Sequence, residues 1–320
     1  MHVRSVSEGL SERSDLRSED WSNLRTSTAV SERFANPFGP LSLSVETVSG
    51  LESLAHSIVA SNIAGYERFL VENGGKVDDS QWKFMCEKDQ VQSYAKRSVG
   101  LSPFSGLAAA AGAAAGRYDR RALVSPEAPA PSIPVVLAVG SIVGDLEDTM
   151  YGLVSPTLDQ MRVKTSYVKD GLVCGSVLAT LVAPSSEDPF RSITVKWMEK
   201  GQSAQARAII KNRDFVYLEA TGVEYLRNGE RVGYHLLHSI QFPETPPRAS
   251  AVRGNMSICG LYRQKNSCDT DVFVKAFLSP ADGLARSVIT RSAAPVYRFQ
   301  PTSCSGEPDE SCEETPPTAT

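Results

Sequence analysis

The sequence predicts an α+β fold built on one antiparallel sheet. Three features carry that prediction. The first is Lys211 to Phe242, two runs of aromatic and branched residues joined at Asn228-Gly229. Asn-Gly is a strong hairpin signal, because a two-residue type I′ turn needs φ > 0 at both central residues. The second is a succession of strand-like runs from Val173 to Leu278. They are separated by Pro184-Ser185-Ser186, Gly201, Pro243 to Pro247 and Lys265-Asn266-Ser267, a spacing that suits hairpins in one antiparallel sheet. The third is helical periodicity confined to a long early segment and a few short ones, which segregates helices from strands.

Alternation sorts the hairpin's side chains. Val232, Tyr234, Leu236, His238, Ile240 and Phe242 share one face of its second strand. Phe215, Tyr217 and Glu219 share one face of the first strand, with Val216 and Leu218 on the other. Both faces are largely apolar, so the hairpin lies in a sheet covered on both sides.

Residues 1–40 are rich in Ser, Arg and Glu with few apolar anchors, and are expected to be a disordered tail. Val45 to Glu72 is a predicted helix: Leu51, Leu54, Ala55, Ile58, Ile63, Tyr66, Phe69 and Leu70 form one stripe. Asn73-Gly74-Gly75 ends it, since Gly tolerates the left-handed conformation past a C-cap. Gln81 to Cys86 and Val91 to Arg97 read as short strands. Residues 98–134 hold an Ala/Gly run, Pro126, Pro129, Pro131 and Pro134, and the cluster Arg117, Arg120, Arg121, and read as a flexible insertion. Three charges give no more than a transient membrane-surface contact at physiological salt.

Val135 to Val143 is a predicted strand, followed by a helix over Gly144 to Val154 with Asp145 as its cap. Pro156 opens a second short helix through Arg162. The remaining strands are Val173 to Val182, Ile193 to Glu199, the hairpin, Val252 to Tyr262 and Val272 to Leu278. A last helix spans Pro280 to Ala294, stopped by Pro295. Residues 301–320 are acidic and proline-containing, and are expected to be a disordered tail.

Composition excludes several classes. The chain has 320 residues, a formal net charge of −4 and 41% hydrophobic residues, which suits one domain with flanks, or two small domains. That balance gives no electrostatic case for nucleic acid. The N-terminus lacks the apolar core of a secretory signal, and no apolar run is long enough to span a bilayer. The six cysteines have neither C-x-x-C spacing nor a neighbouring His, so no zinc site is expected. A cytoplasmic protein with reduced thiols follows.

Motifs for catalysis are missing. G-x-S-x-G, the P-loop, H-E-x-x-H and G-x-G-x-x-G do not occur. His235 and His238 are three apart on a strand and point to opposite faces, so they form no local pair. Glu147-Asp148 diverge on a short helix and read as surface charge. The chain is therefore expected not to be an enzyme, and no cofactor is implied.

Arg213-Asp214-Phe215-Val216 resembles the R-D-F-V signature of START (StAR-related lipid-transfer) domains. Further landmarks follow in that family's order. Gln81-Trp82-Lys83 resembles its opening strand, and Val139-Gly140-Ser141 its third strand leading into a helix. His238-Ser239-Ile240 before a Pro-rich loop and then Val252-Arg253-Gly254 resemble the strands around its second omega loop. Val274 to Gly283 resembles the last strand and the entrance to the final helix. The likeness covers about Val45 to Arg298, so 41–300 is expected to be the lipid-binding unit.

The resemblance implies a helix-grip (Bet v 1-like) fold: a curved antiparallel sheet around a C-terminal helix, enclosing a hydrophobic tunnel. It implies non-covalent binding, and transfer, of a lipid or other hydrophobic molecule. Sterol-type members often carry a basic residue six positions after the signature Arg; here that position is Glu219. An acid there cannot neutralise an anionic head group. Lys196 or Lys200 is placed to pair with it, and Glu219 either meets ligand or only bridges to a strand neighbour. The expected lining is Trp197, Phe215, Tyr217, Tyr234, Leu236 and Phe277, with His238, Tyr217 and Glu219 orienting a polar head. The alternative is a regulatory or scaffold module whose cavity has collapsed.

Overall fold

The structure is a computed structural model that describes residues 34–97, 135–167, 172–201 and 211–279. The insertion, the expected final helix and the acidic tail lie outside the described residues, as do residues 1–33.

Three helices and ten strands are described: α1 (Val45–Val71), β1 (Trp82–Lys88), β2 (Val91–Lys96), β3 (Val135–Val143), α2 (Leu146–Leu153), α3 (Leu158–Tyr167), β4 (Leu172–Val182), β5 (Ser192–Lys200), β6 (Asn212–Tyr225), β7 (Arg231–Ser239), β8 (Ala251–Arg253), β9 (Asn255–Gln264) and β10 (Asp269–Ser279). Ser44 caps α1, its hydroxyl accepting from the Thr47 amide at 3.2 Å. Asp145 caps α2 as expected, accepting from the Asp148 amide at 2.7 Å.

One sheet runs in the order β1-β2-β3-β10-β9-β7-β6-β5-β4, every neighbouring pair antiparallel. The α+β prediction and its curved antiparallel sheet are therefore observed. Register shifts between Leu172 and Cys174, between Val177 and Ala179, and between Thr180 and Val182 bend the β4 edge. The run read as one strand from Val252 to Tyr262 is two. Beyond Gly254 the chain leaves β8, which pairs in parallel with the start of β6, and enters β9 between β7 and β10.

The central hairpin departs from its predicted turn. The Gly229 amide donates to Leu226 O at 2.9 Å, and the Leu226 amide to Glu230 O at 2.9 Å. Gly229 has φ +87°, whereas Asn228 is not among the described residues with positive φ. This is a three-residue loop, a tight turn followed by one left-handed residue, and not a two-residue type I′ turn. The two-residue turn lies at Asp89-Gln90 instead, with φ of 51° and 62° and Lys88 opposite Val91.

Two apolar layers sandwich the sheet. On the face called outer here, α1 lays Leu51, Leu54, Ile58 and Tyr66 against Val195, Leu218, Leu236 and Leu261. On the inner face, α2 and α3 bring Leu146, Met150, Leu153 and Met161 against Phe215, Tyr217, Ile258 and Val274. Gly233 lets α2 close on β7: a Cβ there would sit 2.4 Å from Met150 Sδ. The packed chain begins earlier than the expected 41. Phe34 is buried in the inner layer, and Phe38 meets Trp197 edge-on at 5.9 Å.

Candidate functional site

The inner face is built from the register outward. Cross-strand partners share a face, so Lys196 lies with Tyr217, Thr194 with Glu219 and Leu237, and Thr221 with His235. This sets Lys196 and His235 on either side of Glu219. Ser155, in the link between α2 and α3, reaches down from above.

The four side chains make a closed polar cluster in an apolar surround. The Lys196 ammonium is 1% exposed. It donates to Ser155 O at 2.6 Å and Ser155 Oγ at 3.2 Å, and pairs with Glu219 Oε2. Glu219 Oε1 lies 2.8 Å from His235 Nε2. Burial alone would raise the Glu219 carboxyl pKa; the Lys196 ammonium and the His235 hydrogen bond overcome it and hold the group well below the ordinary carboxylate range. Burial lowers the His235 pKa despite the neighbouring carboxylate, so a neutral imidazole donates through Nε2. Each Lys196 proton has an acceptor and the cluster carries no net charge. Lys196, one of the two partners proposed for Glu219, is the one that pairs with it.

The eight predicted site residues do not share one face. Phe215, Tyr217 and Glu219 are on the inner face. Trp197, Tyr234 and Leu236 belong to the outer layer under α1. His238 is outer too, its Nδ1 3.0 Å from Ser257 Oγ. Phe277 opposes Ser257 and is likewise outer. For Tyr234, Leu236 and His238 the physical reason is the hairpin loop; Trp197 follows from its place opposite Val216, and Phe277 from its place opposite Ser257. A two-residue turn at Asn228-Gly229 would pair Arg227 with Glu230 and put Glu219 opposite His238. The three-residue loop puts Glu219 opposite Leu237, and a slip of one residue exchanges every side chain of a strand. His235, set aside in the sequence, is the histidine that meets Glu219; Ser155 carried no signal, because its contact depends on how the α2–α3 link crosses the sheet.

The signature residues do a different job. Asp214 is fully buried on the outer face. Its Oδ2 accepts from Arg253 at 2.8 Å and from Trp197 Nε1 at 3.1 Å. Its carbonyl accepts from the Gly254 amide at 2.9 Å. Arg253 also donates to Thr245 O at 3.1 Å and Pro246 O at 3.2 Å, fixing the Pro-rich loop. Arg248 lies over the Trp197 ring at 5.0 Å and donates to Glu199 at 3.3 Å. Asp214 therefore ties β5, β6 and β8 together, while its neighbour Phe215 faces the inner layer.

No three His, Cys, Asp or Glu side chains among the described residues are grouped to hold a metal ion. No helix among them is long and apolar enough to cross a membrane. Cys86 and Cys259 form no disulfide bond.

No family model matches the chain, and no curated protein does. Solved structures of START-related domains do resemble it. Human StAR-related lipid transfer protein 5 is 16% identical, with a TM-score of 0.46, over 77% of this chain and 93% of its own. Human STARD10 is 12% identical, with a TM-score of 0.42, over 71% and 72%. A STAR-related lipid transfer protein fragment from Xanthomonas axonopodis is 11% identical, with a TM-score of 0.41, over 68% and 92%. At such identities the likeness concerns the fold alone.

Proposed function

We propose that the protein binds an uncharged hydrophobic ligand, such as a neutral lipid, on the inner face of its sheet, without covalent chemistry. The supporting observation is the make-up of that face. The sheet is nine strands wide, about 38 Å at about 4.8 Å per strand. Its inward residues include Phe215, Tyr217, Leu237, Ile258 and Val274. Within it the Lys196–Glu219–His235–Ser155 cluster carries no net charge and makes its ion pair internally. Among the described residues the helices above it are short, eight residues in α2 and ten in α3, about 12 and 15 Å long. Short covers over a wide apolar face suit a ligand that leaves water for a lined space, at about 25 cal/mol per Å² of apolar area removed from water. Because Lys196 and Glu219 are already paired, a charged head group would have to break that pair to be held.

The unit taken to do this runs from Phe34 to about 300, in a cytoplasmic protein, with transfer between membranes as part of the reading. The test is transfer of a fluorescent acyl lipid from self-quenched donor vesicles. Emission should rise saturably with protein and fall on adding unlabelled neutral lipid. A second reading has its own observation. Phe215 and Tyr217 are 8% and 4% exposed, so the face can also serve as a filled core in a scaffold module. No emission gain above a protein-free blank would favour that reading.

A further inference from the structure

We propose that Thr194 gives the inner face its selectivity: its hydroxyl bonds an uncharged oxygen, of a hydroxyl or a carbonyl, at one end of a bound hydrocarbon chain. This rests on the reading of that face as the ligand face. Thr194 lies on β5 opposite Glu219 of β6, and Glu219 opposes Leu237 of β7, so the three side chains share the inner face. Lys196 follows Thr194 by two residues on the same face. Thr194 is 1% exposed, yet its Oγ1 has no hydrogen-bond partner among the described residues. Other buried hydroxyls close by are satisfied. Thr221, two residues beyond Glu219 on β6, donates to Phe190 O at 2.8 Å, and the Ser155 hydroxyl accepts from Lys196.

The sheet itself does not serve this hydroxyl. β5 is paired on both sides, with β4 and with β6, so the carbonyls next to Thr194 lie in the ladder while its side chain stands off the face. The Glu219 carboxylate is committed as well, Oε1 to His235 and Oε2 to Lys196. Buried polar atoms are hydrogen-bonded in the large majority of cases, and one left unpaired lowers stability. On a ligand face that loss is recovered when the ligand brings the missing partner. A threonine hydroxyl both donates and accepts, so a hydroxyl or a carbonyl oxygen matches it. Position gives the ligand a direction. Thr180, opposite Thr194 on the edge strand β4, is exposed. Past Glu219 the same row continues through Leu237 on β7, Ile258 on β9 and Ala276 on β10, all apolar. From β5 to β10 it spans about 19 Å at about 4.8 Å per strand. The oxygen therefore lies toward the β4 edge and the hydrocarbon extends toward β10.

The test is native mass spectrometry of the full chain titrated with 1-octadecanol, 2-octadecanone or octadecane, three molecules of equal chain length. Wild type should hold the alcohol, or both oxygen-bearing chains, about tenfold more tightly than the alkane, the effect of one buried hydrogen bond. In Thr194→Val, which keeps the branched shape and loses the hydroxyl, that ratio should fall to about one. Thr194→Ser should restore it. Selection of the alcohol alone supports Thr194 as acceptor from a ligand hydroxyl; selection of the ketone as well supports it as donor. Without ligand, Thr194→Val should melt above wild type, because an unpaired buried hydroxyl has been removed. The same ratio in wild type and Thr194→Val, or equal wild-type affinity for all three chains, would overturn the proposal and leave the inner-face reading standing. A wild type that takes up none of the three would overturn that reading and the proposal with it. Should Thr194→Val not fold, Thr194→Ala takes its place, and the same ratio decides.

Discussion

Removing one partner of the Lys196–Glu219 pair should cost far more than removing both. Lys196 is 1% exposed and holds three acceptors, two of them on Ser155 and one on Glu219. In Lys196→Met the Glu219 carboxylate stays buried with only His235 beside it. An uncompensated buried charge of this kind costs about 3–5 kcal/mol. At about 2–4 °C per kcal/mol for a domain of this size, the melting temperature should fall by about 6–20 °C. Lys196→Met combined with Glu219→Leu leaves no charge behind. Apolar replacement of a whole buried pair ranges from neutral to about 1–4 kcal/mol stabilising, so the double variant should recover most of the loss. Circular dichroism melts of the four members of the double-mutant cycle measure this coupling directly. Single variants that each cost under about 1 kcal/mol would match an exposed pair, and a double variant as unstable as the sum of the singles would deny the coupling. Either result would refute the buried-cluster argument.

The remaining predictions concern the two faces separately. Leu236 is fully buried under α1, so Leu236→Ala should lose about 2–5 kcal/mol in urea denaturation while binding per folded molecule stays normal; Tyr217→Ala, on the inner face, should lose lipid transfer more than stability. Asp214→Ala should cost about 3–5 kcal/mol and expose the Pro243 to Pro247 loop to protease, because Arg253 loses its buried partner. Burial lowers the His238 pKa to about 4 from an ordinary 6.5. The unfolded chain then takes up this proton first as pH falls, so the contribution is intact above about 6.5 and is lost between 6.5 and 4, at most about 3 kcal/mol. The urea midpoint of His238→Gln should vary less with pH over that window than that of wild type; parallel curves would show that His238 is not the group responsible.

Strands were legible in the sequence because alternation and turn residues state them locally. β6 and β7 appear within two or three residues of their predicted ends, and the hairpin is buried on both faces as its apolar pattern requires. The site was legible only in part. Glu219 stood out because it takes the position where the resemblance leads one to expect a basic residue, and Lys196 was one of two lysines placed to pair with it. The choice of face did not, because it hung on whether Asn228-Gly229 closed a two- or a three-residue loop. Both use a left-handed glycine, and only one reverses the register. Asp89-Gln90 makes the two-residue turn with two non-glycine residues at positive φ, a conformation those residue types signal weakly. Val252-Arg253-Gly254-Asn255-Met256 reads as continuous strand. The break at Gly254 exists because Arg253 is drawn onto Asp214, a contact 39 residues distant in sequence.

The inner-face account is tested most directly by native mass spectrometry of the purified full-length protein after incubation with a mixed neutral-lipid extract. A single added mass should appear at one lipid per chain, its occupancy should fall in Tyr217→Ala, and it should persist in the fraction of Leu236→Ala that remains folded. A spectrum showing only the bare chain under conditions that preserve the fold, or a lipid adduct lost equally in both variants, would contradict it.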